Sequence, residues 1–387
     1  MVGLKTGKHM KSIAQRMVLS VAILTAGVNG SVSSNAATRV ASEATAMMSG
    51  YEAEQRAAAA AREKDGAWKP VCKEVGVIQV GDARTPGALK NYCLNAEGNL
   101  LTCFVSRETG VSPAIRVYSP KGDLLKTMPL EIKPSAVCVA KDGSIFVAGD
   151  GRLLKLDPAG KVLASAASPV AKEAVSITKE TEDMVTEMIK QTKRSFKEEL
   201  TRMKASLEQR RADVTGLAVT DQDVFMAVPS PRDFTYRVYR FNHSLEEPKL
   251  VVDKLRGCCG QMDVQTHDGK LWIPHNARHT VENLDRDGKE IAKFGKAGRV
   301  KAADFGGCCE PKNMRVLANG DVLAAESGPP TCIKRFSADG KFKEVVAVVN
   351  GAKGDCVRVT VEASADGSRY YMLDTTRDAI RIFAAKN

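Results

Sequence analysis

The chain has few aromatic residues. They make up 5% of its 387 residues, and only Trp68 and Trp272 are tryptophans. Proteins that bind single-stranded nucleic acid stack bases on aromatic side chains and present a clustered basic face. Here Asp and Glu are interleaved with Lys and Arg, although the formal net charge is +11. We therefore expect an aliphatic core, a solvated charged surface and no nucleic-acid partner.

Long apolar runs are also missing. The longest is "MVLSVAILTAGV" at 17–28, which is shorter than the roughly 20 residues needed to cross a bilayer. Basic residues precede this run and small residues follow it, a pattern typical of a signal peptide. We expect residues 1–36 to be a signal peptide, the mature protein to be exported to the periplasm or the extracellular space, and no permanent membrane anchor.

Several catalytic motifs are absent from the sequence. It has no C-x-x-C-H for haem, no C-x-x-C, no Walker loop, no G-x-S-x-G and no H-E-x-x-H. These absences remove the common haem, nucleotide, serine-hydrolase and zinc-protease sites. The ten cysteines all follow the apolar run, and an even number in an exported chain favours disulfides.

A repeat dominates the sequence from residue 70 to 387, after a leader at 37–69 whose Ala, Glu and Arg content predicts a helical or mobile segment. A turn followed by a strand recurs with its glycine at Gly98, Gly143, Gly269, Gly320 and Gly367. A sixth copy, at 220–228, has lost the glycine. A second glycine hairpin follows in four of the periods, as in "YSPKGDLLK" and "FSADGKFKE". Each period therefore predicts four antiparallel strands, which is typical of one propeller blade.

The six copies predict an all-β protein, a six-bladed β-propeller. Residues 73–80 precede the first copy, and we expect them to complete the last blade, since an open blade would leave an unpaired sheet edge. Residues 170–213 contain neither Gly nor Pro and have apolar residues at helical spacing. They predict a long α-helical insertion between blades two and three, which either packs on other parts of the chain or serves as a partner-binding helix.

The repeats resemble those of the NHL family of six-bladed propellers, whose blades share a glycine turn followed by strand, loop and strand. The resemblance covers roughly residues 85–387 without the helical insertion. It implies the propeller fold and leaves function open, because propellers include both enzymes and binding proteins.

The repeat alignment brings unusual residues to one face of the propeller. The loops that lead into the innermost strands of blades four, five and six carry Cys258, Cys259, Cys308, Cys309, Glu310 and Cys356. Loops opening on the same face carry His275, Arg278, His279, Glu326, Cys332, Asp374 and Arg377. Of these, we expect Cys258, Cys259, Cys308, Cys309, Arg278, Glu310, Glu326, Asp374 and Arg377 to contact a ligand.

Three interpretations of the cysteines remain open. Each adjacent pair closes on itself as a vicinal disulfide, or the cysteines cross-link neighbouring blades, for example Cys332 to Cys356. In the third, thiolates together with His275 or His279 hold copper or zinc. Elsewhere, Cys93 and Cys138 occupy equivalent places in blades one and two, and they form either a disulfide or two buried thiols.

The sequence therefore predicts a protein that binds a small-molecule ligand or a protein partner on the face with the paired cysteines. The alternative is a metal- or disulfide-dependent lyase, hydrolase or oxidoreductase that uses the same face.

Overall fold

The computed structural model describes residues 53–80, 87–190, 195–257, 260–350 and 357–386. Within these ranges the chain forms six antiparallel four-stranded sheets. The protein is a six-bladed β-propeller, as the repeats predict. The predicted signal peptide and residues 37–52 of the leader lie outside the described residues.

The first three blades follow the chain from the leader onward. Blade one contains β2 (Gly87–Leu94), β3 (Leu100–Ser106), β4 (Ala114–Tyr118) and β5 (Leu124–Pro129). Blade two contains β6 (Ala136–Val139), β7 (Ile145–Gly149), β8 (Arg152–Leu156) and β9 (Val162–Ala167). Blade three contains β10 (Gly216–Val219), β11 (Asp223–Pro229), β12 (Thr235–Asn242) and β13 (Lys249–Arg256).

The last three blades complete the ring. Blade four contains β14 (Gln265–His267), β15 (Lys270–His275), β16 (Thr280–Leu284) and β17 (Glu290–Phe294). Blade five contains β18 (Asn313–Val316), β19 (Val322–Glu326), β20 (Cys332–Phe336) and β21 (Phe342–Val348). Blade six contains β22 (Val361–Ala363), β23 (Arg369–Asp374), β24 (Ala379–Ala385) and, as its outer strand, β1 (Cys72–Gln79). The first strands of successive blades contact one another, so they form the inner wall of the ring.

The pairing of β1 with β24 confirms the predicted closure of the ring. The two strands are antiparallel, with Cys72 opposite Ala385 and Gln79 opposite Ala379. The buried side chain of Ile78 packs in a cluster with residues of blades six and one. The guanidinium of Arg381, on β24, donates to the Glu74 carboxylate at 2.9 Å. Apolar packing and one partly buried ion pair therefore hold the closing strand.

The turn glycines have the backbone conformation that the repeat requires. All five glycines of the first unit have positive φ, from 68° at Gly367 to 82° at Gly143. An L-residue at these positions would be strained, because its Cβ disfavours this region. The hairpin at 220–223 manages without glycine, and Thr220 there donates its backbone N–H to the Asp223 carbonyl at 2.9 Å.

The core lies between neighbouring blades and is largely aliphatic, as the composition predicts. Between blades one and two, for example, Met128, Ile145, Val147 and Leu154 are all buried in one cluster. Each fully buried side chain of this size contributes about 1.5–3 kcal/mol. Stability therefore depends on contacts that only a complete ring of blades provides.

The helical content differs from the prediction. Residues 53–63 are helical (α1), and two further helices, α2 (Lys179–Ile189) and α3 (Phe196–Arg210), lie between β9 and β10. The insertion over 170–213 was predicted to be long and helical, either single or folded back, and its described residues form two short helices of 11 and 15 residues. A second helix starts at Phe196 because Ser195 and Glu198 form a capping box, in which each side chain accepts from the other's backbone N–H.

The chain divides into two compact units. One comprises residues 61–175 and 207–387 and contains all six sheets; the other comprises residues 1–60 and 176–206 and contains α2 and the greater part of α3. Among the described residues, no helix combines the length and the apolar character needed to cross a bilayer.

Candidate functional site

The structure places part of the predicted site in blade five. Two loops meet there: residues 306–310, which we call the cysteine loop, and residues 327–330, which we call the opposing loop. A Cβ added to Gly328 would lie only 3.1 Å from the Cα of Gly307, so the two loops cross at a distance that favours glycine. Gly307 also has a φ of +64°. Cys258, Cys259 and Cys356, predicted for the same face, lie outside the described residues.

The adjacent cysteines of blade five are close together but not bonded to each other. The sulfur atoms of Cys308 and Cys309 are 3.2 Å apart, whereas a disulfide has a length of about 2.05 Å. The vicinal disulfide predicted for this pair is therefore not formed. Cys309 is fully buried, while Cys308 is partly exposed.

A buried lysine lies next to this pair. Lys312 has only 1% of its surface exposed, and its ammonium donates to the sulfur of Cys309 at 2.7 Å. A buried ammonium requires a compensating partner, because desolvation disfavours the charged form. Contact with the ammonium favours the thiolate form of the sulfur. Lys312 was not among the predicted site residues, although its position one residue before the innermost strand β18 signals burial.

Glu310 holds the two loops together through one of its oxygen atoms. Its Oε1 accepts hydrogen bonds from the N–H and hydroxyl of Ser327 at 3.1 and 2.8 Å and from the N–H of Gly328 at 2.9 Å. The other oxygen, Oε2, has no hydrogen-bond partner among the described residues, although the side chain is only 1% exposed. Burial raises the pKa of the Glu310 carboxyl to about 8, against the opposing effect of the positive charge on Lys312.

Glu326 supports the cysteine loop through a hydrogen bond to its backbone. Its Oε2 accepts from the N–H of Gly306 at 2.7 Å, and its Oε1 forms an ion pair with the fully buried ammonium of Lys334 at 2.5 Å. Lys334 also donates to the Asp304 carbonyl at 2.6 Å and lies 4.7 Å from the ring of Trp68. Glu326 was predicted to contact a ligand, but these contacts make it a support for the loop.

Among the described residues, His275 and His279 have no metal-ligand arrangement. The Nε2 of His275 accepts from the N–H of Arg256 at 2.9 Å, so its Nδ1 carries the proton and donates to Glu282 at 2.7 Å. His279 is buried at the end of a 3-10 turn with a φ of +58°. Among the described residues, no group of three His, Cys, Asp or Glu side chains has the geometry of a metal site. The predicted copper or zinc site at these histidines therefore lacks a ligand set in this part of the chain.

The remaining predicted contact residues lie in blades four and six. Arg278 and Arg377 are exposed. The Asp374 carboxylate accepts from the N–H and hydroxyl of Thr376 at 3.1 and 2.6 Å and caps its own loop. In the described part of the chain, no hydrogen bond or ion pair joins Arg278, Asp374 or Arg377 to the cysteine loop.

Two disulfide predictions are also wrong. Cys93 and Cys138 are unbonded buried thiols, and Cys332 is an unbonded thiol at the start of β20. Burial raises the pKa of the Cys138 thiol to about 12 and that of Cys93 well above its ordinary value. These side chains pack as small hydrophobic groups, the second of the two interpretations that the sequence left open for Cys93 and Cys138.

A polar cavity occupies the centre of the ring. Its volume is about 210 Å³. The cavity is lined by residues of all six innermost strands and by residues that directly precede some of these strands. Burial raises the pKa values of the Asp263 and Glu362 carboxyls to about 7, and the guanidinium of Arg315 lies 2.8 Å from Glu362. Arg358 reaches the carbonyls of Ser135 and Gly260, from loops of two other blades, at 3.2 and 3.3 Å. None of these charged residues was predicted to form a site, because charges at inner-strand positions look like surface charges in a single sequence.

Comparison with known proteins supports the fold and does not assign a family. No protein-family model matches the chain, and no curated protein matches it. A structure of a protein of unknown function from Bacteroides thetaiotaomicron aligns with a TM-score of 0.53 and 12% identity, covering 81% of this chain and 76% of that one.

Two further structures align less well. The Pan2 WD40 domain of Neurospora crassa gives a TM-score of 0.49 at 8% identity, covering 82% of this chain and 96% of that one. A gluconolactonase from Xanthomonas campestris gives 0.47 at 10% identity, covering 81% and 99%. At these identities the similarity concerns fold alone. The chain is therefore a six-bladed propeller similar in fold to the Bacteroides protein.

Proposed function

We propose that this chain is an exported propeller of the NHL type that binds a small-molecule ligand beside the cysteine loop of blade five. The observation that carries the proposal is the Oε2 atom of Glu310, a buried carboxyl oxygen with no partner among the described residues. Leaving such an atom without a partner costs about 1–3 kcal/mol. A bound ligand would supply the missing hydrogen bond.

The charges around Glu310 favour a ligand that accepts hydrogen bonds. Because the pKa of the carboxyl is about 8, its neutral form dominates at pH 7, and the Oε2 atom can then carry a proton to donate. Lys312 adds a buried positive charge nearby. Cys308 and Gly307 are partly exposed and give access to the loop from solvent. A carboxylate, a thiolate or another strongly accepting group fits this combination.

The other predicted contact residues contribute less to the proposal. Cys258, Cys259 and Cys356 are assigned to the same face of the propeller by the repeat alignment alone. We place the site on the propeller rather than on residues 170–213 because, in the described part of that segment, no buried polar side-chain atom lacks a partner. A small molecule is also favoured over a protein partner, since Glu310 is only 1% exposed and a ligand has to reach it past Gly307 and Cys308.

Ligand-observed NMR with a panel of carboxylic acids, thiols, disulfides, amines and sugars tests the proposal. We expect at least one compound with an accepting group to bind the wild-type protein at pH 7 and to bind less well above pH 8, where Glu310 ionises. Glu310→Gln should keep its binding at high pH, because an amide still donates and cannot ionise. Glu290→Gln, at an exposed glutamate on β17, is the control and should follow the wild type.

Two outcomes would contradict the proposal. In the first, no compound of the panel binds. In the second, binding falls with pH to the same extent in the wild type and in Glu310→Gln.

A further inference from the structure

We infer that Cys308 and Cys309 form a dithiol that exchanges with small organic disulfides. This inference rests on the proposed function, because it names the ligand class of the same site and adds a reaction to binding. It depends on three observations in blade five. These are the distance between the two sulfur atoms, the ammonium beside one of them and the different exposure of the two side chains.

The first contact is the sulfur–sulfur distance of 3.2 Å. Closing a disulfide from this separation requires the sulfur atoms to approach by about 1.1 Å. The same separation is that of a hydrogen bond in which either sulfur can be the donor. The two sulfur atoms are thus close enough both to exchange a proton and to form a bond after a small movement.

The second contact is the hydrogen bond of 2.7 Å from Lys312 to the sulfur of Cys309. Thiol–disulfide exchange proceeds through the thiolate, and a neighbouring ammonium favours that form. The other buried thiols among the described residues have no hydrogen bond from an ammonium group. Burial raises the pKa values of the Cys103 and Cys138 thiols, to about 12 for Cys138. These thiols are therefore poor nucleophiles at neutral pH.

The third observation divides the roles of the two cysteines. Cys308 is partly exposed, so an incoming disulfide can reach it, whereas Cys309 is fully buried behind it. An exposed attacking cysteine next to a second, resolving cysteine is the arrangement found in redox-active pairs. Here the buried cysteine carries the lysine contact, so the proton of Cys308 passes to Cys309 before attack.

The reaction with a disulfide RSSR balances as follows. The Cys308 proton moves to the Cys309 sulfur, the Cys308 thiolate attacks one sulfur of RSSR, and RS⁻ leaves, which gives a mixed disulfide. That RS⁻ takes the proton from Cys309 and becomes RSH. The Cys309 thiolate then attacks the Cys308 sulfur, the bond to R–S breaks, and a second RS⁻ leaves. The two cysteine sulfurs are oxidised, and RSSR is reduced to RSH and RS⁻.

Mass spectrometry of the full-length protein tests this inference, with reduced and oxidised glutathione as the probe. After acid quenching and alkylation, trypsin cuts behind Lys301 and Lys312, so residues 302–312 give one peptide with Cys308 and Cys309 as its only cysteines. We expect this peptide to lose both alkylation sites together as the share of oxidised glutathione rises, and to regain both when it falls.

Variants separate the chemistry from folding. Lys312→Met should slow the exchange about tenfold, and Lys312→Arg, which keeps the positive charge, should restore most of the rate. Cys103→Ala, in the core of blade one, should exchange at the wild-type rate. Cys308→Ser should block closure of the disulfide.

The inference would be overturned if the peptide kept two alkylated cysteines at every glutathione ratio, or if Lys312→Met exchanged at the wild-type rate while folded. If exchange is absent but compounds of the NMR panel still bind, only the dithiol reaction is excluded. If exchange occurs while Glu310→Gln and the wild type show the same pH dependence of binding, the ligand site at Glu310 is wrong instead.

Discussion

The ammonium of Lys312 donates a hydrogen bond of 2.7 Å to the sulfur of Cys309, and both side chains are buried. A buried charge is retained only with a partner, so the two side chains depend on each other. This pair links the architecture of blade five to its proposed chemistry.

Alkylation should reveal the charge state of the pair. We expect iodoacetamide to modify Cys308 and Cys309 about tenfold more slowly at pH 7 in Lys312→Met, because the thiolate loses its ammonium partner. The variant lacks the tryptic site at 312, so its two cysteines are followed in peptide 302–315. Lys289→Met, at an exposed lysine, is the control and should react like the wild type. Equal rates in Lys312→Met and the wild type would mean that Lys312 does not influence the sulfur.

The stability of the protein should depend on the ionisation of Glu310. In the unfolded chain this carboxyl ionises near its ordinary pKa of 4.5, and in the folded protein near 8. Between these values the folded state binds more protons, so its contribution to stability is complete below pH 4.5 and is lost as pH rises through 8. The expected slope is about 1.4 kcal/mol per pH unit.

Urea unfolding at several pH values measures this effect. Glu310→Gln should remove the slope between pH 5 and 8 that the wild type owes to Glu310, while Glu290→Gln should leave it in place. Asp263 and Glu362 contribute slopes of the same sign in all three proteins, because their pKa values are also raised. A Glu310→Gln curve parallel to the wild type would show that Glu310 titrates normally.

The ion pair in the central cavity should contribute more to the free energy of unfolding than an ion pair on the surface. Glu362→Leu removes the buried carboxylate that pairs with the partly exposed guanidinium of Arg315, and we expect a loss of about 2 kcal/mol in the free energy of unfolding. Glu344→Leu is the matched control: Glu344 is partly exposed, and its partner Arg335 keeps a second carboxylate, Asp321. The control should cost less than about 1 kcal/mol. Similar losses in both variants would contradict the assignment of the cavity pair.

Closure of the ring should depend on one face of β1. Ile78→Ala removes a side chain that is 2% exposed in the cluster joining blades six and one, and we expect a loss of about 2–4 kcal/mol. Val77→Ala, one residue earlier and 48% exposed, should change the free energy of unfolding by less than about 0.5 kcal/mol. Equal effects of the two substitutions would mean that β1 does not close the ring.

The features that the sequence predicts well are those with a local cause. Gly98 and Gly143 mark turns because their backbone needs positive φ, and the repeat of such turns is enough to count blades. The closing strand follows from the same repeat, because one blade lacks its outer strand. The capping box of Ser195 and Glu198 is a local pattern as well, and it marks the start of a second helix. The absence of Gly and Pro from the segment favoured one long helical insertion instead.

The features that the sequence predicts poorly depend on contacts between residues that are distant along the chain. Repeat alignment brings Cys308 and Cys309 to one face. It does not show that Lys312 donates to a sulfur or that Glu326 forms an ion pair with Lys334. His275 is a comparable case, since its two partners come from different strands of the fold. One-dimensional spacing carries no information on which polar groups satisfy one another.

Peptide mapping of the unreduced protein, with thiols blocked before digestion, tests the central claim most directly. If Cys308 and Cys309 are a dithiol at a ligand site, peptide 302–312 will appear with both sulfurs blocked or with the two joined to each other. A mass that links peptide 302–312 to a peptide containing Cys258, Cys259, Cys332 or Cys356 would show instead that these cysteines brace the blades, and it would contradict the account.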